Sequence, residues 1–107
     1  LADRLELDRQ KLFDISSTAS GQCWSMTSYC PVPGPVPASP ANRDYAPGFT
    51  AAMMLKDLKL AAEAATVSGA TTPMGSLACE IYDQFCEQGN QDIDFSAIFK
   101  MLSAEIS

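Results

Sequence analysis

The 107-residue sequence predicts an all-α fold of about five or six helices and no sheet. Apolar residues recur at helical spacing in several segments, no segment alternates with period two, and Gly or capping residues punctuate the stretches between. Nearly half of the residues are apolar (47%) and 19% are charged, which is the balance of a chain that can build a modest core.

Leu1 and Leu5 stand one helical turn apart and read as the tail of a helix already under way. Asp8 offers an N-cap before a helix over Arg9 to Ala19, with Leu12, Phe13 and Ile15 on its apolar stripe. Gly21 breaks that run, and Gln22 to Tyr29 predicts a short helix carrying Cys23, Trp24, Met26 and Tyr29. From Pro31 to Gly48 the character changes, since six of the seven prolines fall there and their alternation favours extended backbone. A linker at that point would leave two pieces too small for independent cores, so the segment reads as a structured loop packed on one domain.

Thr50 to Ser68 forms the strongest helix, Ala-rich and ended by Gly69. Met54, Leu58, Ala61 and Ala65 make one stripe, while Met53, Leu60, Ala64 and Val67 carry apolar character round the cylinder, which predicts a central helix. Thr72 and Pro73 open a helix through Leu77, Ile81, Tyr82 and Phe85 that Gly89 stops. Asp94 caps the last, with Phe95, Ile98, Phe99 and Leu102 in its stripe.

Composition limits the function. A net charge of −6 with only seven scattered Lys and Arg argues against a nucleic-acid partner. No run approaches the roughly 18 apolar residues of a membrane span, and no basic-then-apolar signal opens the chain, so it reads as soluble and intracellular. Cys23 and Cys30 are seven apart, as are Cys79 and Cys86; on a helix that is a rise of roughly 10 Å, too far for a disulfide. The spacing also misses the zinc pattern, and with no His in the chain the favoured reading is buried free thiols, with cross-paired disulfides or a metal as the alternative. The lack of His also removes Ser-His, Cys-His and His-metal chemistry, and neither Gly-rich phosphate-loop pattern occurs.

Two clusters stand out. Asp57 shares its helical face with Met53, Met54, Ala61 and Ala64, whereas Lys56 projects about 100° away toward Ala52, Leu60 and Glu63. Either Lys56 snorkels to solvent while Asp57 pairs with a neighbouring helix, or both face a cleft. Trp24 and Tyr29 precede the proline loop and Tyr45 and Phe49 follow it; they pin the loop to the core or form a pocket wall suited to a small polar organic acid.

Six segments, in order, carry a family resemblance: S-S-T-A-S-G-Q-C-W from Ser16, Y-C-P-V-P-G from Tyr29, D-Y-A-P-G-F from Asp44, M-L-K-D-L-K-L-A from Met54, T-P-M-G-S-L-A from Thr72 and D-F-S-A-I-F from Asp94. Together they cover nearly the whole chain and resemble the C-terminal part of the β-hydroxyacid dehydrogenases, the 3-hydroxyisobutyrate dehydrogenases in particular. The resemblance implies a multihelical C-terminal domain over residues 1–107, like that of 6-phosphogluconate dehydrogenase and 3-hydroxyisobutyrate dehydrogenase, which closes a cleft against an N-terminal Rossmann domain not contained in this sequence. It implies hydride transfer from 3-hydroxyisobutyrate to NAD, with NADP the lesser expectation, giving methylmalonate semialdehyde in valine breakdown. The family's catalytic Lys lies in a G-x-x-G-x-G-x-x-x-K-x-x-x-N segment that does not occur here, so the resemblance puts the catalytic residue upstream and implies that the fragment alone is inactive.

Lys56 and Asp57 match the family's K-D-L-G-x-A-x-D coenzyme motif: Lys56 is carried over as the residue reaching the nicotinamide end, and Asp57 as its orienter. Lys59 replaces the motif's Gly and Glu63 its last Asp. Trp24, Tyr29 and Phe49 match the aromatic pocket wall around the substrate. The resemblance further implies a dimer or tetramer, no metal, and a bacterial cytoplasmic setting or, in a eukaryote, the mitochondrial matrix. The alternatives are a dehydrogenase of another small β-hydroxyacid, such as serine or glycerate/tartronate semialdehyde, and a helical domain whose faces serve only oligomerisation.

Overall fold

The computed structural model describes residues 1–104. They contain five α-helices: α1 (Arg9–Ser16), α2 (Trp24–Thr27), α3 (Ala51–Ser68), α4 (Pro73–Phe85) and α5 (Ile98–Leu102). The chain divides into two compact units, Leu1–Tyr45 and a second that begins at Ala46.

Five α-helices and no strand among the described residues agree with the expected all-α count of five or six, but several of the expected helical stretches are shorter than expected. Short 3-10 turns occupy Asp3–Leu5, Pro40–Arg43 and Phe95–Ala97, a π-type turn occupies Cys86–Asn90, and of the five α-helices only α3 and α4 exceed eight residues. The first unit explains the difference physically. Asp8 does cap α1 by accepting the Lys11 N–H at 2.9 Å, but the hydroxyls of Ser17 and Thr18 bond back to the carbonyls of Asp14 and Ile15, and the helix ends at Ser16 rather than Ala19. Leu5 ends a 3-10 turn, Asp3–Leu5, that closes at Glu6 in the left-handed region, and Leu1 precedes it, accepting the Leu5 N–H at 3.1 Å; neither lies in the tail of an α-helix.

In the proline segment side chains replace the missing amides. Asn42 accepts from the Gly34 N–H and donates to the carbonyl of Val36, Arg43 donates to the carbonyl of Ala38, and the Tyr45 hydroxyl donates to the carbonyl of Pro31 at 2.7 Å. Tyr45 is buried and, like Asp44, adopts positive φ, so two successive left-handed residues turn the chain at the end of this unit. The four cysteines are free, but only Cys30 is buried; Cys23 is exposed, and Cys79 and Cys86 are half-buried, which corrects the expectation of four buried thiols.

In the second unit α3 begins on Thr50, whose hydroxyl accepts the Met53 N–H, and ends at Gly69 with φ 73°. It packs against α4 and against the turns Cys86–Asn90 and Phe95–Ala97, and Ala51, Met54, Leu55, Leu58, Ala62 and Ala65 are the less exposed positions of the helix. Its other apolar residues face outward: Met53, Leu60 and Val67 are 50%, 54% and 83% exposed, so α3 is not enclosed on all sides as its composition suggested. Thr72 makes no side-chain cap on α4; its carbonyl instead takes the Ser76 N–H and hydroxyl. Gly89, at φ 92°, turns the chain after α4.

The core of this unit is Phe85, Ala51 and Ala97, fully buried, with Tyr82 edge-on to Phe85 at a centroid distance of 6.4 Å. The Tyr82 hydroxyl donates to the carbonyl of Phe95 at 3.0 Å, and burial pushes its pKa up to about 12, with the Asp94 carboxylate adding to the shift. A phenol whose folded pKa lies above its unfolded value of 10.0 contributes stability that is complete below that value and lost as pH rises toward about 12. Unfolding free energies between pH 9 and 12, followed by urea denaturation, should therefore fall more steeply for the unaltered chain than for Tyr82→Phe.

Candidate functional site

Lys56 and Asp57 lie in the second turn of α3, on its exposed side. At 3.6 residues per turn, Asp57 falls on the outward stripe of Met53, Leu60, Ala64 and Val67, while Lys56 lies at its border. The helix thus displays an apolar strip edged by one ammonium and crossed by one carboxylate. Among the described residues neither group has an ion-pair or side-chain hydrogen-bond partner, and the structure does not bring the two together.

On the Lys56 side a groove of about 490 Å³ opens between α3 and the turn after α4. Ala52, Leu55 and Leu60 supply apolar lining, Lys56, Lys59 and Glu63 charged groups, and Cys86 and Gln91 the opposite wall. Lys59 is tied down: its ammonium pairs with Asp83 of α4 at 3.0 Å, and that hydrogen bond raises its pKa above the usual lysine value. Burial raises the Cys86 thiol, with Asp83 adding to the shift, so it stands as a neutral thiol rather than a nucleophile. Among the described residues Lys56 is therefore the groove cation without an ion-pair partner. An apolar lining beside an ammonium can take the flat face of an organic ligand and offer one charged hydrogen-bond donor to its polar group.

The aromatic residues divide between the units. Trp24 and Tyr29 stack in the first, with centroids 5.0 Å apart and planes 20° from parallel, and Trp24 is 61% exposed. Tyr45 is committed to the loop it anchors. Phe49, in the second unit, meets Phe95 edge-on at 5.8 Å and is half-buried. The side chain that sequence reasoning missed here is the Asp94 carboxylate, which is fully buried and accepts from the backbone N–H groups of Gly48 and Phe49 at 3.0 and 3.2 Å. Its cap role at Ser96 was legible, but the bond to a segment 46 positions earlier was not. No group of three His, Cys, Asp or Glu side chains able to hold a metal occurs among the described residues, and no helix among them is long and apolar enough to cross a membrane.

Comparison with known proteins bears on this geometry. A family model described as "NAD-binding of NADP-dependent 3-hydroxyisobutyrate dehydrogenase" matches residues 1–102. The chain is 51% identical over 104 residues to a probable 3-hydroxyisobutyrate dehydrogenase of Mycobacterium tuberculosis, covering 97% of this chain and 35% of that protein. It is 44% identical over 95 residues to the NAD-dependent L-serine dehydrogenase of Pseudomonas aeruginosa, covering 89% of this chain and 32% of the relative. Among solved structures, that of Mycobacterium tuberculosis 3-hydroxyisobutyrate dehydrogenase with L-serine superposes with a TM-score of 0.91 at 50% identity, over 94% of this chain and 34% of that one.

Fold and likeness together define a nicotinamide-coenzyme domain of the dehydrogenases. The chain belongs to the NAD-binding family of NADP-dependent 3-hydroxyisobutyrate dehydrogenase. That family replaces the expected likeness to 6-phosphogluconate dehydrogenase as the frame for the fold. The chain spans about a third of the length of the curated relatives it matches. The family description carries both NAD and NADP, so the coenzyme class is nicotinamide dinucleotide.

Proposed function

We propose that this chain is the cleft-closing helical domain of an NAD-dependent 3-hydroxyisobutyrate dehydrogenase, working against an N-terminal Rossmann domain of the same protein. The observation that carries the proposal is Lys56, exposed beside an apolar-lined groove on α3 and without an ion-pair partner among the described residues. A bound nicotinamide dinucleotide supplies the hydride acceptor for oxidation of the hydroxyl-bearing carbon. Within this chain Lys56 reaches the coenzyme's nicotinamide end, with Asp57 as its orienter. By the family's motif, Trp24 and Tyr29 in the first unit and Phe49 in the second are each substrate-facing side chains.

The base that takes the hydroxyl proton belongs to the upstream Lys segment, so the fragment alone does not turn over. In the whole protein the product is methylmalonate semialdehyde, an intermediate of valine breakdown, formed in the cytoplasm of a bacterium or in the mitochondrial matrix. The protein works as a dimer or tetramer. A second reading, L-serine as substrate, draws support from the name of the Pseudomonas aeruginosa relative and from the L-serine named with the Mycobacterium tuberculosis structure.

One set of assays tests both. NADH absorbance is followed with 3-hydroxyisobutyrate and with L-serine, for the full-length protein and for residues 1–107 alone. The proposal expects turnover only in the full-length protein, with the higher kcat/KM for 3-hydroxyisobutyrate and for NAD over NADP. Turnover by the isolated chain would refute the division of labour, and a higher kcat/KM for L-serine would move the substrate assignment.

A further inference from the structure

The Asp94 carboxylate is fully buried and is not among the residues that line the groove. One oxygen accepts from the Gly48 and Phe49 amides, and the other accepts from the Ser96 amide and hydroxyl. We infer that Asp94 is a positioning residue for Phe49, holding that ring at the substrate wall independently of the coenzyme-facing helix. The inference rests on the reading of Phe49 as a wall of the hydroxy-acid pocket.

The independence follows from which bonds depend on the side chain. The first turn of α3 is tied by backbone alone, with the Ala51 N–H donating to the carbonyl of Ile93 at 2.9 Å and the Ala52 N–H to that of Gln91 at 3.0 Å. Thr50 adds its own cap on Met53. Removing the carboxylate leaves those bonds, and with them the register of Lys56. The Gly48 and Phe49 amides, in contrast, lose their shared acceptor. Phe49 then keeps its carbonyl bond from the Phe95 N–H and the edge contact with the Phe95 ring, a hinge rather than a clamp. A backbone held on both sides of the residue fixes the position and direction of its Cα–Cβ bond, and a displacement on the order of 1 Å at a positioning group can cost a large factor in turnover efficiency.

A double-mutant cycle in the full-length protein tests this, with KM for 3-hydroxyisobutyrate and NADH affinity by fluorescence measured for each member. Asp94→Ala should raise KM about tenfold while NADH affinity stays within about twofold, Phe49→Ala should raise KM similarly, and the double variant should be no worse than Phe49→Ala. Ser96→Ala, which leaves the Gly48 and Phe49 bonds in place, should lower stability without moving KM. If Asp94→Ala does not fold, replacing Phe49 by its α-hydroxy acid analogue deletes a single N–H while leaving Asp94 untouched, and it should raise KM in the same direction. Equal losses of substrate and NADH affinity, or full additivity in the cycle, overturn the inference while leaving Phe49 as a wall residue. An unchanged KM in Phe49→Ala alone removes the wall reading and the inference with it.

Discussion

Phe85→Ala lowers the unfolding free energy by about 3–5 kcal/mol, the usual cost of emptying a buried aromatic site. Phe85 is the largest fully buried side chain in the structure, at 0% exposure, and it sits at the end of α4 where that helix gives way to the π-type turn. Deleting the ring removes its edge-on partner from Tyr82, whose hydroxyl holds the Phe95 carbonyl. The Asn90 side-chain amide, which donates to the backbone carbonyl of residue 85 at 3.1 Å, keeps its acceptor in the variant. A domain of this size has about 5–15 kcal/mol in total, so the variant should be close to unfolding at room temperature. Urea denaturation of residues 1–107 checks it; a midpoint shift worth less than about 1 kcal/mol would mean that the site collapses around the cavity. Val67→Ala, at a residue 83% exposed, should change the stability of the isolated chain by no more than about 0.5 kcal/mol.

Lys56→Ala in the full-length protein should weaken NADH binding by about 10- to 100-fold, the loss of one charge-assisted hydrogen bond of about 1.5–3 kcal/mol. Stability should hardly change, because the ammonium is exposed and has no ion-pair partner among the described residues. Lys59→Ala is the matched control: one turn along the same groove, its charge is already held by Asp83, and it should leave NADH affinity within about threefold. Titration of NADH fluorescence against each variant separates the two. Unchanged affinity and rate in Lys56→Ala would favour the purely structural reading, in which the outward apolar strip of α3 serves only association between chains.

Local chemistry was legible in the sequence and long-range chemistry was not. The Asp8 cap and the Gly69 stop are decided by residues within one turn of each other, and each is found at the predicted position, whereas Thr50, read as the first residue of its helix, is that helix's cap. The short helices were overextended because Ser and Thr hydroxyls at the end of α1 compete for the same carbonyls that would continue it. Helix periodicity identified the apolar residues of α3 but not which face would be covered: Met54 and Leu58 turn inward while Met53, Leu60 and Val67 stay exposed, a matter of which neighbour packs there. The Lys56–Asp57 pair and the aromatic trio could be named from motifs. Their surroundings could not, because the Lys59–Asp83 pair and the Asp94 clamp join positions 24 and 46 apart.

The central claim, that Lys56 meets the coenzyme, is tested most directly by lysine acetylation footprinting of the full-length protein with and without NADH, read peptide by peptide in a mass spectrometer. The account predicts that NADH protects Lys56 strongly and leaves Lys11 and Lys100 unprotected, and that Lys56 in residues 1–107 alone gains no protection. Equal labelling of Lys56 with and without NADH in the full-length protein would contradict it.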